Sequence, residues 1–94
     1  MNELSIYQKL AETAFKNFYN TPLQPRPSGD DAAHVLNIAR SIMMHRDKIM
    51  PGGGFVTAVI ENNLDGAINR ADLVCSKHLT FFVHCKLHIH PQNS

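Results

Sequence analysis

Hydrophobic residues in the first half of the chain recur at spacings of three and four, which is the period of an amphipathic helix. Between residues 2 and 20 this series is Leu4, Tyr7, Leu10, Ala11, Ala14, Phe15 and Phe18. Between residues 30 and 50 it is Ala32, Val35, Leu36, Ala39, Ile42, Met43 and Ile49. A connector over residues 21–29 holds three prolines, and Pro51 with the three glycines that follow it closes the second series. The pattern predicts two long helices that are joined by an extended, semi-rigid connector.

Two shorter apolar series follow and predict short helices over residues 54–61 and 64–71. Most residues of the first short series are apolar, which predicts a helix that is buried on most sides. Asn63 precedes the second short helix and Asp72 precedes the C-terminal segment. Both residue types are favoured N-caps, and each cap is worth about 1 kcal/mol. We therefore expect Asn63 and Asp72 to have structural roles.

The C-terminal segment fits two periods. Over residues 79–90 apolar and polar residues alternate, with Phe82 as the exception, and this alternation is typical of a half-buried strand. A helical series that includes Cys75, Leu79 and Val83 fits the same segment. Since the chain offers no partner strand, a strand here would leave its backbone groups unpaired. We expect one helix over residues 73–88 and a tail over 89–94; the alternative is a strand that pairs with another chain.

Length and composition are those of a single folded domain. The chain has 94 residues, of which 44% are hydrophobic and 18% charged. Together with the periodicity, this predicts one all-α domain over residues 1–94, a small helical bundle of four to five helices: two long, two short and one C-terminal. Its longest apolar runs are far below the roughly 20 residues of a membrane span. The N-terminus has no basic region followed by an apolar one, so we expect a cytoplasmic protein without a secretory signal.

The net charge of +1 argues against a function in nucleic-acid binding, which relies on a strongly basic surface. A small nucleic-acid-binding regulator would need most of its cationic side chains on one face. Those side chains are Lys9, Lys16, Arg26, Arg40, Arg46 and Lys48.

Four of the six histidines lie in the last seventeen residues and raise the question of a metal site. His84 and His88 are four residues apart and would lie on one face of a helix, with Cys85 and His90 as neighbouring candidates. Further ligands would have to come from Cys75, His34 or His45. The chain has neither a Cys-x-x-Cys nor a His-Glu-x-x-His motif. We therefore predict no cofactor, and a metal-linked or oligomeric module that uses the terminal histidines stays as an alternative.

Sequence motifs for catalysis are also lacking. The loop Pro51-Gly-Gly-Gly-Phe55 precedes a helix, but it has no Gly-Lys-Ser/Thr ending of the kind that nucleotide-hydrolase loops carry. Ser41 and Ser76 have no neighbouring general base in sequence. The sequence predicts a protein that is not an enzyme.

The middle of the chain resembles a known group of proteins. Over residues 53–72 the sequence reads GGFVTAVIENNLDGAINRAD. It is similar to a signature of small proteins from phage and prophage accessory regions: Gly-Ser-Phe, two residues, Ala-Val, then Asn-Asp-Leu, two residues, Ala, and Arg-Ala-Asp. The chain departs from it with Gly54 in place of serine and Asn63 in place of aspartate, and both changes keep turn and cap chemistry.

This resemblance implies a non-catalytic, all-helical protein that binds and inhibits or redirects a bacterial host protein in the host cytoplasm. Anti-defence inhibitors, such as anti-CRISPR and anti-nuclease proteins, are the class that this setting implies. Candidate anchors, selected by residue type and expected exposure, are Tyr19, Arg40, Met43, Met44, Arg46 and Arg70. The methionines can instead fill the core. Because a core of this size is thin, a homodimer that buries a remaining apolar face is a further expectation.

Overall fold

The computed structural model describes residues 3–20 and 26–91, and this part of the chain forms six helices and no strand. The helices are α1 (Glu3–Phe18), α2 (Gly29–Arg46), α3 (Gly54–Ile60), α4 (Leu64–Arg70), α5 (Leu73–Lys77) and α6 (Leu79–His88). The predicted all-α fold is confirmed, and the strand alternative for residues 79–90 is wrong. Some predicted positions lie outside the described residues: residue 2 of the first helix, residues 21–25 of the connector and residues 92–94 of the tail.

α2 ends at Arg46, four residues before the predicted boundary at residue 50. Lys48 has a φ of 62°, in the left-handed region, and the backbone N–H of Ile49 donates to the carbonyl of Met44 at 2.8 Å. This is the usual hydrogen-bond pattern of a helix C-terminus, and it stops the helical ladder before Ile49. Because Ile49 fits the apolar spacing, the predicted end of the helix was placed too far along the chain. Ile49 is exposed.

The predicted C-terminal helix is divided at His78 into α5 and α6. His78 has φ −120° and ψ 22°, and its side-chain Nδ1 lies 2.6 Å from the hydroxyl of Tyr19 on the segment after α1. The break allows α5 to contact α2 while α6 contacts α1, α2 and α3. Because this change of direction depends on partners that are distant in sequence, periodicity could not predict it.

α6 is the central helix of the core. Phe81, Phe82 and Cys85 are fully buried. The Phe81 ring contacts Phe15, Phe18 and Tyr19, and the Phe82 ring contacts Phe55 of α3. Val83, which the helical series placed inside, is exposed instead. The buried face of α6 is therefore rotated from the predicted one.

Arg46 joins the end of α2 to the end of α6. Its guanidinium donates two hydrogen bonds to Asp47, both at 2.8 Å, and the same Asp47 carboxylate accepts from the Tyr7 hydroxyl at 2.7 Å. One guanidinium nitrogen also donates to the carbonyls of Cys85, Lys86 and Ile89, at 3.0, 3.0 and 2.7 Å. The Cys85 carbonyl also accepts from the backbone N–H of Ile89 at 3.3 Å, whereas carbonyls at the very end of a helix, such as those of Lys86 and Ile89, lie beyond the last N–H of the ladder. The network fixes where α6 ends.

Candidate functional site

An apolar groove lies between α4 and α6 and encloses about 160 Å³. Its floor contains the small or half-buried side chains of Ala58, Ala67 and Leu79. On its rims, the side chains of Leu64 and Leu87 are 60% and 55% exposed. The residues that line it are Ala58, Val59, Asn62, Asn63, Leu64, Ala67, Leu79, Val83, Lys86 and Leu87. We call this surface the α4–α6 groove.

One apolar pair at helical spacing lines the groove on α6, and one member of a second pair, Leu64, lines it on α4, whereas its partner Ile68 lies beside the lining. Leu64 and Ile68 are four residues apart on α4, and Val83 and Leu87 are four residues apart on α6. Residues at this spacing lie on one face of a helix, one turn apart. All four are among the exposed large hydrophobic residues of the described chain. Exposed leucines are common singly, but neighbouring pairs beside a concave apolar floor are typical of a binding surface.

Lys86 supplies the charge of the groove. Its ammonium donates to the carbonyl of Val59 at 3.0 Å and to the side-chain oxygen of Asn62. Asn62 has a φ of 60° and closes the turn after α3, so these contacts hold the lysine against that turn. A lysine ammonium has three donors, so one beyond these two contacts can reach a bound group. Lys86 is the one charged residue among the described residues that line the groove.

Three of the predicted partner anchors lie in the core instead. Tyr19, Met43 and Met44 are 6%, 0% and 4% exposed, so the expectation that they are exposed is wrong. Tyr19 packs between Phe15 and Phe81, and burial raises the pKa of its hydroxyl. The methionines belong to the buried stripe of α2, where their flexible side chains fill space between helices. In this structure the three residues offer no surface to a partner.

The three predicted arginine anchors have different surroundings. Arg40 is half-buried and donates to the side chain of Gln8 at 3.0 Å, which links α2 to α1. Arg46 is 13% exposed and is held in the network at the end of α6. Arg70 is exposed and packs along Gly54, where a Cβ atom would lie 2.8 Å from its Cδ. Of the six predicted anchors, Arg70 alone is exposed.

The C-terminal histidines do not assemble a metal site with each other. The His84 ring packs in a tilted arrangement against Phe18 and against His88, with ring centroids 5.3 Å apart in both pairs. Cys85 points into the core, away from them, and burial raises the pKa of its thiol to about 12. His90 lies 3.4 Å from the carbonyl of Leu87. Within the described residues, none of these four candidates belongs to a group of three or more ligand atoms close enough to hold an ion.

The described residues contain one such group, and it lies elsewhere. It consists of His34 on α2 with Asp72 and Cys75 at the start of α5, and its ligand atoms are all within 4.8 Å of one another. Burial, and next the carboxylate of Asp72, raise the pKa of the Cys75 thiol to about 12. The backbone N–H of Cys75, and then the side chain of His34, lower the pKa of Asp72. His34 and Cys75 were both candidate ligands in the sequence, but with the terminal histidines rather than with Asp72.

Two histidines make stability depend on pH. Burial lowers the pKa of His78 and of His84 from the ordinary value of 6.5, and the neighbouring His88 lowers that of His84 further. Between 6.5 and the lower pKa of the folded state, the unfolded chain binds more protons than the folded one. Nδ1 of His78 lies 2.6 Å from the hydroxyl of Tyr19, so a change in the protonation of this ring alters that contact.

We therefore expect the free energy of unfolding to fall when the pH is lowered from about 7.5 to about 5.5. The variants His84→Gln and His78→Gln should each reduce this pH dependence, because each removes one group that titrates differently in the two states. Urea unfolding curves at the two pH values measure the effect. A pH dependence that is the same in both variants and in the wild type would contradict this assignment.

Residues 53–72 form α3, the turn after it, α4 and the N-cap of α5. The side chain of Asn63 accepts a hydrogen bond from the backbone of Gly66 at 3.0 Å, and Asp72 accepts one from Cys75 at 2.8 Å. The predicted cap roles of both residues are confirmed. Leu64 differs from these residues, because 60% of its surface is exposed.

No model of a known protein family matches the chain, and neither a curated protein nor a solved structure matches it. The resemblance to phage and prophage proteins therefore stays a prediction. None of the helices in the described ranges combines the length and the hydrophobicity that a bilayer crossing needs.

Proposed function

We propose that this chain is a small, non-catalytic binding protein of phage or prophage origin, which occupies the surface of a bacterial host protein in the cytoplasm and inhibits or redirects it. The observation that supports the proposal best is the α4–α6 groove. It presents the exposed rim residues Leu64 and Leu87 over a floor of small side chains. Such grooves accept the apolar face of a helix, whose side chains enter at intervals of three and four residues.

The chemistry of the groove favours an amphipathic helix of the host protein as its occupant. Apolar side chains of that helix would fill the floor above Ala58 and Ala67. An acidic residue beside them would pair with Lys86, which is held at the groove wall by Val59 and Asn62. Binding energy in such an interface is concentrated in a few apolar anchors near its centre. We assign that role to Leu64 and Leu87.

A homodimer through the groove is the second candidate, and the same exposed apolar residues support it. In a two-fold dimer the same patch meets itself. A dimer centred on the groove would bring two Lys86 ammonium groups together, and it would place one concave surface against another. Both effects oppose self-association, so we favour a host protein as the partner.

The test compares a double variant in the groove with a single variant outside it, all three changes being to aspartate at exposed apolar positions. The double variant L64D/L87D changes the rims of the groove, whereas M50D changes Met50, which is 56% exposed outside it. A host protein captured on the immobilised chain is identified by mass spectrometry and purified. Its affinity for each variant is then measured by calorimetry, and circular dichroism verifies that each variant is folded.

We expect L64D/L87D to bind at least about 30-fold more weakly than the wild type, since loss of one central anchor costs about 2 kcal/mol. M50D should stay within about threefold of the wild type, because the position lies outside the groove. Equal weakening by both variants would overturn the assignment of the groove. A dimer in gel filtration that L64D/L87D dissociates would show that the groove binds a second copy instead.

A further inference from the structure

Three metal-binding side chains converge on one point between α2 and α5. His34 Nε2 lies 2.7 Å from Asp72 Oδ2 and 3.7 Å from Cys75 Sγ. Asp72 and Cys75 lie 38 and 41 residues after His34 in the sequence, so only the fold brings His34 next to them. The side chains of His34 and Asp72 are 39% and 54% exposed, whereas Cys75 is buried beneath them. An ion can therefore reach the cluster from solvent.

The geometry differs from that of a catalytic cysteine. A nucleophile, its base and an orienting carboxylate would contact two different nitrogens of the histidine, so that a proton can pass along the ring. Here the sulfur and the carboxylate both lie against Nε2 of His34. Two partners at one nitrogen cannot relay a proton through the imidazole. A metal ion, however, requires several ligand atoms around one point, and three are present here.

The distances are close to those of a tetrahedral zinc site. Zinc bonds of about 2.0–2.3 Å place neighbouring ligand atoms about 3.3–3.6 Å apart. The sulfur and the imidazole nitrogen are already near this separation, at 3.7 Å. The carboxylate and the imidazole are at 2.7 Å, a hydrogen-bond distance, and must separate by about half an ångström to admit an ion. Both side chains are partly exposed, and this adjustment needs no movement of the core.

A second contact fixes the carboxylate in a suitable orientation. Asp72 is the N-cap of α5, and its Oδ1 accepts a hydrogen bond from the backbone N–H of Cys75 at 2.8 Å. Its Oδ2 is the atom that faces His34. A carboxylate that is held by one oxygen and presents the other is the usual arrangement around a bound metal. The nitrogen, oxygen and sulfur donors together match the preference of zinc.

We propose that His34, Asp72 and Cys75 bind one zinc ion, with water as the fourth ligand. When the ion binds, zinc forms bonds to the Cys75 sulfur, to Nε2 of His34 and to Oδ2 of Asp72. The thiol proton passes to the buffer, and the hydrogen that Nε2 shares with Asp72 in the metal-free protein leaves this nitrogen, so that the neutral ring carries its proton on Nδ1. Because the ligands come from α2 and from the start of α5, the ion links these two helices. None of the three ligands lines the α4–α6 groove, so the zinc site and the groove are separate features.

The test uses untagged full-length protein and cobalt as a spectroscopic substitute for zinc. A cobalt–thiolate bond gives a charge-transfer band in the near ultraviolet, and zinc should abolish this band by displacing cobalt. Zinc affinity is measured by competition with a chromophoric chelator. The variants are H34Q, C75S and D72N; the last keeps an N-cap side chain, since asparagine caps as well as aspartate. H84Q/H88Q is the control for binding at the C-terminal histidines.

We expect one zinc per chain in the wild type and in H84Q/H88Q, with the cobalt–thiolate band present in both. H34Q and C75S should bind zinc more than about 100-fold more weakly, since loss of outer contacts alone costs about 10- to 100-fold. Zinc should raise the Tm of the wild type but not that of H34Q. The proposal is overturned if the wild type and H34Q bind zinc equally, if no thiolate band forms, or if H84Q/H88Q alone abolishes binding. D72N, with its N-cap retained, should lose affinity as well, and full retention of affinity in D72N would overturn the site of three protein ligands.

Discussion

Replacement of Phe81 by alanine is expected to lower the free energy of unfolding by about 3–5 kcal/mol, the range for large buried aromatic residues. Phe81 is fully buried, and its ring lies 6.0 Å from Phe15, 5.3 Å from Phe18 and 5.3 Å from Tyr19. Alanine would leave a cavity at the centre of this aromatic cluster. Since a domain of this size has a total stability of about 5–14 kcal/mol, the variant would retain only part of it.

Thermal and urea unfolding measure this effect. For a domain of this size, 1 kcal/mol corresponds to about 4–8 °C, so Tm should fall by at least about 12 °C. Leu87→Ala is the matched control, because Leu87 lies on the same helix but is 55% exposed. It should change stability by less than about 1 kcal/mol. If both variants had similar small effects, α6 could not be the central helix of the core.

Replacement of Arg46 by methionine is expected to cost about 2–4 kcal/mol, because it removes one partner from a largely buried network. The substitution removes the two hydrogen bonds to Asp47 and those that the carbonyls of Cys85, Lys86 and Ile89 accept from the guanidinium. The Cys85 carbonyl keeps its bond from the backbone N–H of Ile89. Methionine keeps much of the apolar volume of the arginine stem. The loss therefore reports on the hydrogen bonds rather than on packing.

The control for Arg46 is Arg40→Met, since Arg40 makes one side-chain hydrogen bond, to Gln8, among the described residues. This change should cost less than about 1 kcal/mol. Arg46→Lys should lower the free energy of unfolding almost as much as Arg46→Met does, because a lysine cannot bind Asp47 with two parallel bonds and also reach three carbonyls. Equal effects of Arg46→Met and Arg40→Met on urea unfolding would refute the network.

The contribution of the same network to stability is lost at acid pH. The hydrogen bonds from Arg46 lower the pKa of Asp47 from its ordinary value of 3.8, with a smaller contribution from Tyr7. The stability that Asp47 contributes is therefore fully present above that value and is lost as the pH falls through the lower pKa of the folded state. This loss lies well below the pH range in which His78 and His84 titrate.

Local pattern predicted the helices but not their relative positions. The apolar periods of residues 4–18 and 32–43 were sufficient to predict α1 and α2, and residue type alone predicted the caps Asn63 and Asp72. The division at His78 was missed, because it depends on Tyr19, which is 59 residues distant. The burial of Phe81 was missed as well, since α6 is apolar on several faces and its period does not select one.

Candidate sites were harder to predict, because each combines elements that are distant in sequence. Exposed Leu64 and Leu87 have the residue type and the spacing of core positions, and only the packing of α3 and α6 shows that they remain outside. Arg46 was predicted to be a surface anchor, and no local signal indicates that it caps α6. His34 and Cys75 were recognised as potential ligands by residue type, but only the fold brings His34 next to Cys75 and Asp72.

Photo-crosslinking from the groove tests most directly whether this surface binds the host partner. A photoreactive amino acid replaces Leu87 in the groove or, as a control, Met50 outside it, and the tagged chain is irradiated in the bacterial host. We predict that position 87 forms one adduct, with the host protein that the immobilised chain captures, and that position 50 forms none. An excess of untagged wild-type chain should compete this adduct away, whereas L64D/L87D should not. Adducts of similar yield from both positions, or an adduct from position 87 with a second copy of the chain alone, would contradict the account.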